Sequence, residues 1–216
     1  MRLFCLVFCC LVVCLLLPAR GEIIDRLAVA VGNQVITELQ IDEELRVTAM
    51  LNHEPLIRGL EQRRTAADRL VEQLLIKLEM QLSHYTLPDA GEVDKYYQQI
   101  EEGSGGQAGL DKTLRSLNLT AEILRSHLEL QLTELKFIEV RFRPDVTVSD
   151  ADVEAAYQRQ VAAWKQAHTG QPPTLEVSRE PLYAMLREAR TDAALTAWLG
   201  ESRKRVMIVY LDKALE

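Results

Sequence analysis

Residues 22–37 read Glu-Ile-Ile-Asp-Arg-Leu-Ala-Val-Ala-Val-Gly-Asn-Gln-Val-Ile-Thr, the one strongly strand-like stretch near the start of the chain. Ile23, Leu27, Val29 and Val31 fall on one face of an extended backbone. Gly32-Asn33 is an acceptable two-residue hairpin turn, and Val35-Ile36 begins the return strand. Thr37 then caps a helix, with Gln40 at the capping-box position. A hairpin alone is marginal in water and needs a third partner. The matching β-rich run lies at the other end of the chain, from Arg205 to Leu211. The expected fold is therefore mainly α. About seven helices form one domain, 22–216, closed by a small antiparallel sheet that pairs the N-terminal hairpin with the C-terminal strand.

Between the two strand signals the periodicity is helical. A first helix is expected over Leu39–Met50. Pro55 suits the first turn of a second, which runs to about Ser83 with a stripe of Ala67, Leu70, Val71, Leu74, Leu75, Leu78 and Leu82. Leu87-Pro88 ends it. Glu92–Glu102 carries Tyr96 and Tyr97, and the glycines of 103–106 break the chain before a short helix over Leu110–Leu117. Leu119-Thr120 opens a long helix to Phe142. Its apolar positions Ile123, Leu124, Leu128, Leu132, Leu135 and Ile138 cover well over the ~100° that a surface helix needs, so it is expected to be central. Pro144 stops it. Ser149 and Asp152 start a helix with Val153, Tyr157 and Trp164. Gly170 and Pro172-Pro173 end that one, and Ser178 and Pro181 open the last, which carries Leu182, Met185, Trp198 and Leu199.

Upstream of the hairpin, Arg2 precedes an apolar run from Leu3 to Leu17. The run is short for a transmembrane span and has the length of a signal-peptide core. Cleavage is expected after Gly21, leaving residues 1–21 as a signal peptide. The alternative is a retained anchor, or a lipoprotein joined through Cys14. Cys5, Cys9, Cys10 and Cys14 all lie in this segment, so the mature chain would hold together without disulfides. It would carry 23 basic against 32 acidic residues, a balance that argues against nucleic-acid partners and anionic membrane surfaces.

Catalytic signals are sparse. His53, His84, His127 and His168 have no second ligand at metal-binding spacing and read as surface or edge residues. Gly103–Gly109 lacks the Lys-Ser/Thr ending of a phosphate loop and follows no strand. Glu43-Glu44 and Glu101-Glu102 read as solvated helix faces, not as an isolated acid or base. Asn118-Leu119-Thr120 matches a glycosylation acceptor but reads better as a helix start capped by Thr120. No enzyme activity, metal or cofactor is expected. Soft and aromatic residues are left over, among them Met50, Met80, Met185, Tyr96 and Trp198, and such residues can repack around many partners.

The order of several segments resembles one known family. Ile24 to Thr37 resembles the strand–turn–strand that opens the mature SurA-type periplasmic chaperones. The helix Arg69-Leu70-Val71-Glu72-Gln73-Leu74-Leu75-Ile76 is similar to a helix of that family. So is Leu117-Asn118-Leu119-Thr120 followed by Leu124-Arg125, with Asn118 where the family has glycine. Val148-Ser149-Asp150-Ala151-Asp152-Val153 and the closing Trp198 to Ile208 are similar as well. In that family a parvulin-type isomerase domain of roughly 90 residues follows the Val-Ser-Asp helix. Here ten residues separate Ala167 from Ser178.

The resemblance thus implies a chaperone core without isomerase. It would be periplasmic, would not span a membrane, and would bind unfolded or extended client polypeptides, outer-membrane proteins in transit above all. Tyr97, Tyr157 and Trp164, aromatics on short or marginal helices, are the candidate client-binding residues. An adaptor docking one folded partner, or a diverged prolyl isomerase, are the competing functions. Nothing in the sequence fixes the oligomeric state.

Overall fold

Gly32 and Asn33 turn the chain between β1 (Leu27–Val31) and β2 (Gln34–Thr37), and Gly32 supplies the positive φ (+59°) that the tight turn requires. The computed structural model describes residues 25–167, 170–212 and 215. The segment expected to be a signal peptide, the expected cleavage site, Ile23 and His168 lie outside them. β3 (Ile208–Tyr210) pairs antiparallel with β1 through Val29–Tyr210, Ala30–Val209 and Val31–Ile208, giving the order β2-β1-β3. The sheet joins both ends of the chain, as the hydrophobic pattern required. One face assignment changes. Leu27 is exposed and Ala28 is buried, because the register shifts between Leu27 and Val29 and re-aims the first strand residue.

Seven helices lie between β2 and β3 among the described residues: α1 (Glu38–Leu51), α2 (Leu60–Leu82), α3 (Ala90–Gly103), α4 (Gln107–Ser116), α5 (Ala121–Arg141), α6 (Asp150–Ala167) and α7 (Leu175–Arg205). Thr37 and Gln40 form the expected reciprocal capping box of α1, and Asp89 with Glu92 builds a second one on α3. Thr120 caps α5 by accepting from the Ile123 amide. Asn118, at φ +50°, ends α4 in the left-handed conformation that glycine adopts most easily.

Gly109 is required for a different reason. A Cβ there would stand 2.0 Å from the Ser104 carbonyl oxygen. Alanine in a helix normally gains about 1 kcal/mol over glycine, but this backbone overlap must outweigh that gain. Gly109→Ala is expected to destabilise by about 2 kcal/mol, measured as a lower urea midpoint. An unchanged midpoint would show that the 104–109 loop relaxes freely.

Two prolines sit elsewhere than expected. Pro55 does not begin α2. Residues 54–59 run as a strap over α1, tied by the Arg58–Asp42 ion pair at 3.0 Å, and the helix begins only after Gly59. Pro181 lies two turns inside α7. That helix starts earlier because Tyr157 donates to the Pro173 carbonyl at 2.9 Å, which fixes its start at Thr174, while the Ser178 side chain is buried instead of capping. The carbonyl that Pro181 deprives of a donor belongs to Val177, which is exposed, so water can satisfy it.

α5 is central, packing on α1, α2 and α3. Its Leu124, Leu128 and Phe137 are fully buried, whereas Leu135 is on the surface. Leu82, counted in the α2 stripe, is also exposed, and Ile76 and Met80 take its place inside. Three apolar clusters share this frame. The sheet packs on Ala67, Val71 and Leu75 of α2. The ends of α1 and α5 pack with α3 and α4. Phe137 meets Phe142 and Trp198 edge-on or tilted, at 5.4 and 4.7 Å between ring centres, and joins α2, α5 and the C-terminal half of α7. A fourth, smaller cluster of Val153, Ala156 and Leu182 holds α6 to the N-terminal half of α7.

Candidate functional site

β2 is an edge strand, and a cavity of about 260 Å³ opens beside it, lined by Gln34, Val35 and Ile36 and by Leu74 of α2 and Glu129 of α5. Gln40, Leu70, Ser126 and Leu130 also line a second cavity of about 280 Å³, which ends on Glu43, Glu44, Glu122 and His127. The two form one groove between the sheet edge, α1 and α5, with leucines of α2 among its apolar lining. A third cavity of about 270 Å³ lies under the 54–59 strap, on the Thr48 and Arg69 side of Glu44.

Glu44 separates these spaces and is nearly inaccessible at 3 % exposure, as is His127 at 6 %. Both contradict the sequence reading of solvated acids and surface histidines. α1 is covered by α2 on one side and by α5 on another, so even its polar positions are enclosed. His127 Nδ1 lies 2.8 Å from Glu44 Oε2. Thr48 Oγ1 and Arg69 Nη1 donate to Glu44 Oε1 at 3.1 and 3.3 Å. Behind His127, Gln131 Nε2 approaches His127 Nε2 at 3.1 Å, and the Tyr96 hydroxyl donates to Gln131 Oε1 at 3.5 Å. With the Gln131 amide at its Nε2, the imidazole presents Nδ1 to Glu44 Oε2, a buried oxygen with no other partner among the described residues. The result is a polar seam through α1, α2, α3 and α5. Burial opposes ionisation of Glu44, yet the His127 hydrogen bond, the Arg69 charge and the Thr48 hydroxyl outweigh it and hold the carboxyl below the usual range. Burial pushes Glu134 of α5 up instead. Arg46, also buried, donates to the carbonyls of Leu117 and Asn118 at 3.1 and 2.6 Å and so caps the C-terminus of α4.

The three aromatics named from the sequence do not share a surface. Tyr97 is in the core at 8 % exposure, with the Arg125 guanidinium 3.9 Å from its ring centre. Tyr157 and Trp164 are half-buried on α6, whose one substantial packing partner is α7. Together α6 and the N-terminal half of α7 make a helical arm. Ion pairs tie it: Arg179 to Asp150, and Arg190 to Asp152, whose carboxyl is held far below its ordinary value by Arg190 and the Ser149 hydroxyl. The arm exposes Val177 (70 %), Met185 (53 %) and Tyr183 (39 %). The sequence reading listed Met185 among the soft residues able to repack around partners and passed over the other two. Helical spacing could have found Val177, which lies opposite the stripe of Leu182 and Leu186, whereas Tyr183 and Met185 border that stripe on its two sides. Among the described residues no group of three His, Cys, Asp or Glu could hold a metal ion, and no helix is long and apolar enough to cross a membrane.

No family model matches this chain, and no curated protein matches its sequence. Among solved structures, it is similar to a chain from Campylobacter jejuni, from work describing the virulence factor PEB4 and the periplasmic protein Cj1289 as two structurally related SurA-like chaperones. The TM-score is 0.53 at 13 % identity, over 87 % of this chain and 99 % of that one. At that identity the likeness is one of fold.

Proposed function

We propose that this protein is a periplasmic holdase chaperone that binds unfolded or extended polypeptides, outer-membrane proteins in transit among them, without isomerase activity. The observation that carries the reading is the arm. α6 and α7 hold each other through a core of three buried side chains, while large apolar residues stay on the outside. A holdase needs such exposed apolar surface and a unit able to yield, and it works by binding energy alone. The SurA-like fold supports the same role, since the C. jejuni proteins of that fold are described as chaperones. Seven residues, 168–174, join α6 to α7 where an isomerase domain of roughly 90 residues would have to be inserted.

Light scattering of an unfolded outer-membrane β-barrel protein, diluted with and without this protein, tests the reading. Dose-dependent suppression is expected, weaker for an unrelated soluble protein. Absence of suppression for both would sink it and favour an adaptor for one folded partner. Replacing Tyr183 and Met185 together with serine is expected to reduce suppression several-fold. Both are exposed, so stability should shift by no more than about 0.5 kcal/mol. Trp164→Ala is expected to act in the same direction. A collapse of the melting temperature in that variant would instead make Trp164 part of the arm's own packing.

A further inference from the structure

Successive residues of a strand point to opposite faces. A cavity lined by Gln34, Val35 and Ile36 together therefore runs along the edge of β2 and not over one face. β1 occupies the other edge. Proteins usually blunt a free edge with charge, proline or a covering element. β2 carries no charge and no proline over Gln34–Thr37, and its edge borders open space. Beyond it, Leu70, Leu74 and Leu130 supply apolar lining. The far wall is acidic. Glu129 is taken up by Lys77 at 3.7 Å, and Glu44 by His127 and Arg69. Glu43 and Glu122 line the same groove, and among the described residues neither makes an ion pair, although Arg46 and Arg125 attract them from a distance.

We propose that β2 takes up an extended polypeptide segment as a fourth strand, with a preference for segments in which apolar residues alternate with Lys or Arg. The segment's backbone bonds the outward N–H and C=O groups of β2, one row of side chains enters between Leu70, Leu74 and Leu130, and cationic residues approach Glu43 and Glu122. Backbone pairing is indifferent to sequence, so it suits many clients, while the unpaired carboxylates reject acidic segments. This rests on the holdase reading and names the chemistry of the segment that its groove accepts.

Fluorescence anisotropy with three labelled nine-residue peptides tests it: alternating Val and Lys, alternating Val and Glu, and the Val–Lys peptide N-methylated at every Val. The first is expected to bind, the second at least about ten-fold more weakly, and the third not to bind, because it lacks the donors a strand needs. Glu43→Lys is expected to weaken the Val–Lys peptide by about five-fold or more. Its circular dichroism should be unchanged and its melting temperature should fall only slightly, since Glu43 makes no hydrogen bond or ion pair among the described residues and is attracted only by the nearby Arg46 charge. The proposal is overturned if the N-methylated peptide binds as well as its parent, or if Val–Lys and Val–Glu bind equally. Aggregation suppression by the same preparation separates the two ideas. Suppression without peptide discrimination leaves the holdase standing and removes the β2 site. Discrimination without suppression does the reverse.

Discussion

Removing residues 205–216 is expected to lower the thermal midpoint by more than about 10 °C. The deletion takes β3 from β1 and Leu215 from the core beside the sheet, where it is 4 % exposed. It also takes half-buried Val206, Ile208 and Tyr210, which pack on the same cluster. One fully buried large apolar side chain contributes about 1.5–3 kcal/mol, so Leu215 and three half-buried neighbours amount to about 4 kcal/mol or more. That is a large part of a typical stability of about 5–15 kcal/mol. At about 2–4 °C per kcal/mol for a chain of this size, the shift follows. Tyr210→Phe isolates one contact, the 2.7 Å hydrogen bond to Asp68 on α2, and should cost only about 1 kcal/mol. Calorimetry of both variants checks this. A truncated chain that melts where the full chain does would mean that the hairpin stands without its third strand.

The second large effect is at Glu44. Glu44→Ala leaves the buried His127 without its acceptor and Arg69 without its buried partner, at a cost of about 3–5 kcal/mol. Replacing both Glu44 and His127 with leucine should be less damaging than the single change, because the buried acid and imidazole are removed together while the half-exposed Arg69 keeps Thr48 and water as partners. Chemical denaturation of the single and double variants decides it, and a double variant as unstable as Glu44→Ala would defeat the argument. The pH dependence has a definite sign. A carboxyl depressed in the fold contributes fully above its unfolded value near ~4.3, and acid removes that contribution as pH falls through the lower folded value. Glu134, pushed up chiefly by burial, runs the other way: its ionised form costs stability at neutral pH, and protonation relieves that cost. The Glu44→Gln variant should therefore lose less stability between pH 6 and pH 3 than the parent.

How far the sequence could be read depended on whether the signal was local. Thr37, Gln40, Thr120 and the Gly32-Asn33 turn act within four residues, and all four behave as their spacing implies. The closure of the sheet was legible because two β-rich runs had no nearer partner. The prolines were misjudged because long-range contacts decide them: Arg58–Asp42 keeps Pro55 out of α2, and Tyr157–Pro173 starts α7 ahead of Pro181. Glu44 was read as solvated because it stands beside Glu43 on a charged stretch, and His127 because it has no second ligand at metal-binding spacing. Their burial arises only when α1, α2 and α5 come together, and no window along one helix contains that. The candidate site divided in the same way. Aromatic identity pointed to the α6 arm through Tyr157 and Trp164, but it could not tell that Tyr97 faces inward, or that the free edge of β2 borders a groove.

The pairing of β1 with β3 also sets an order of events. Val29 and Tyr210 are about 180 residues apart in the chain, and such distant pairings are the slow step of folding. A polypeptide emerging N-terminus first, from a ribosome or through an export channel, delivers β1 long before its partner. Helices α1 to α5 can gather as they appear, but the sheet stays a two-stranded hairpin until β3 arrives. Arrival of β3 is then the event that locks the fold.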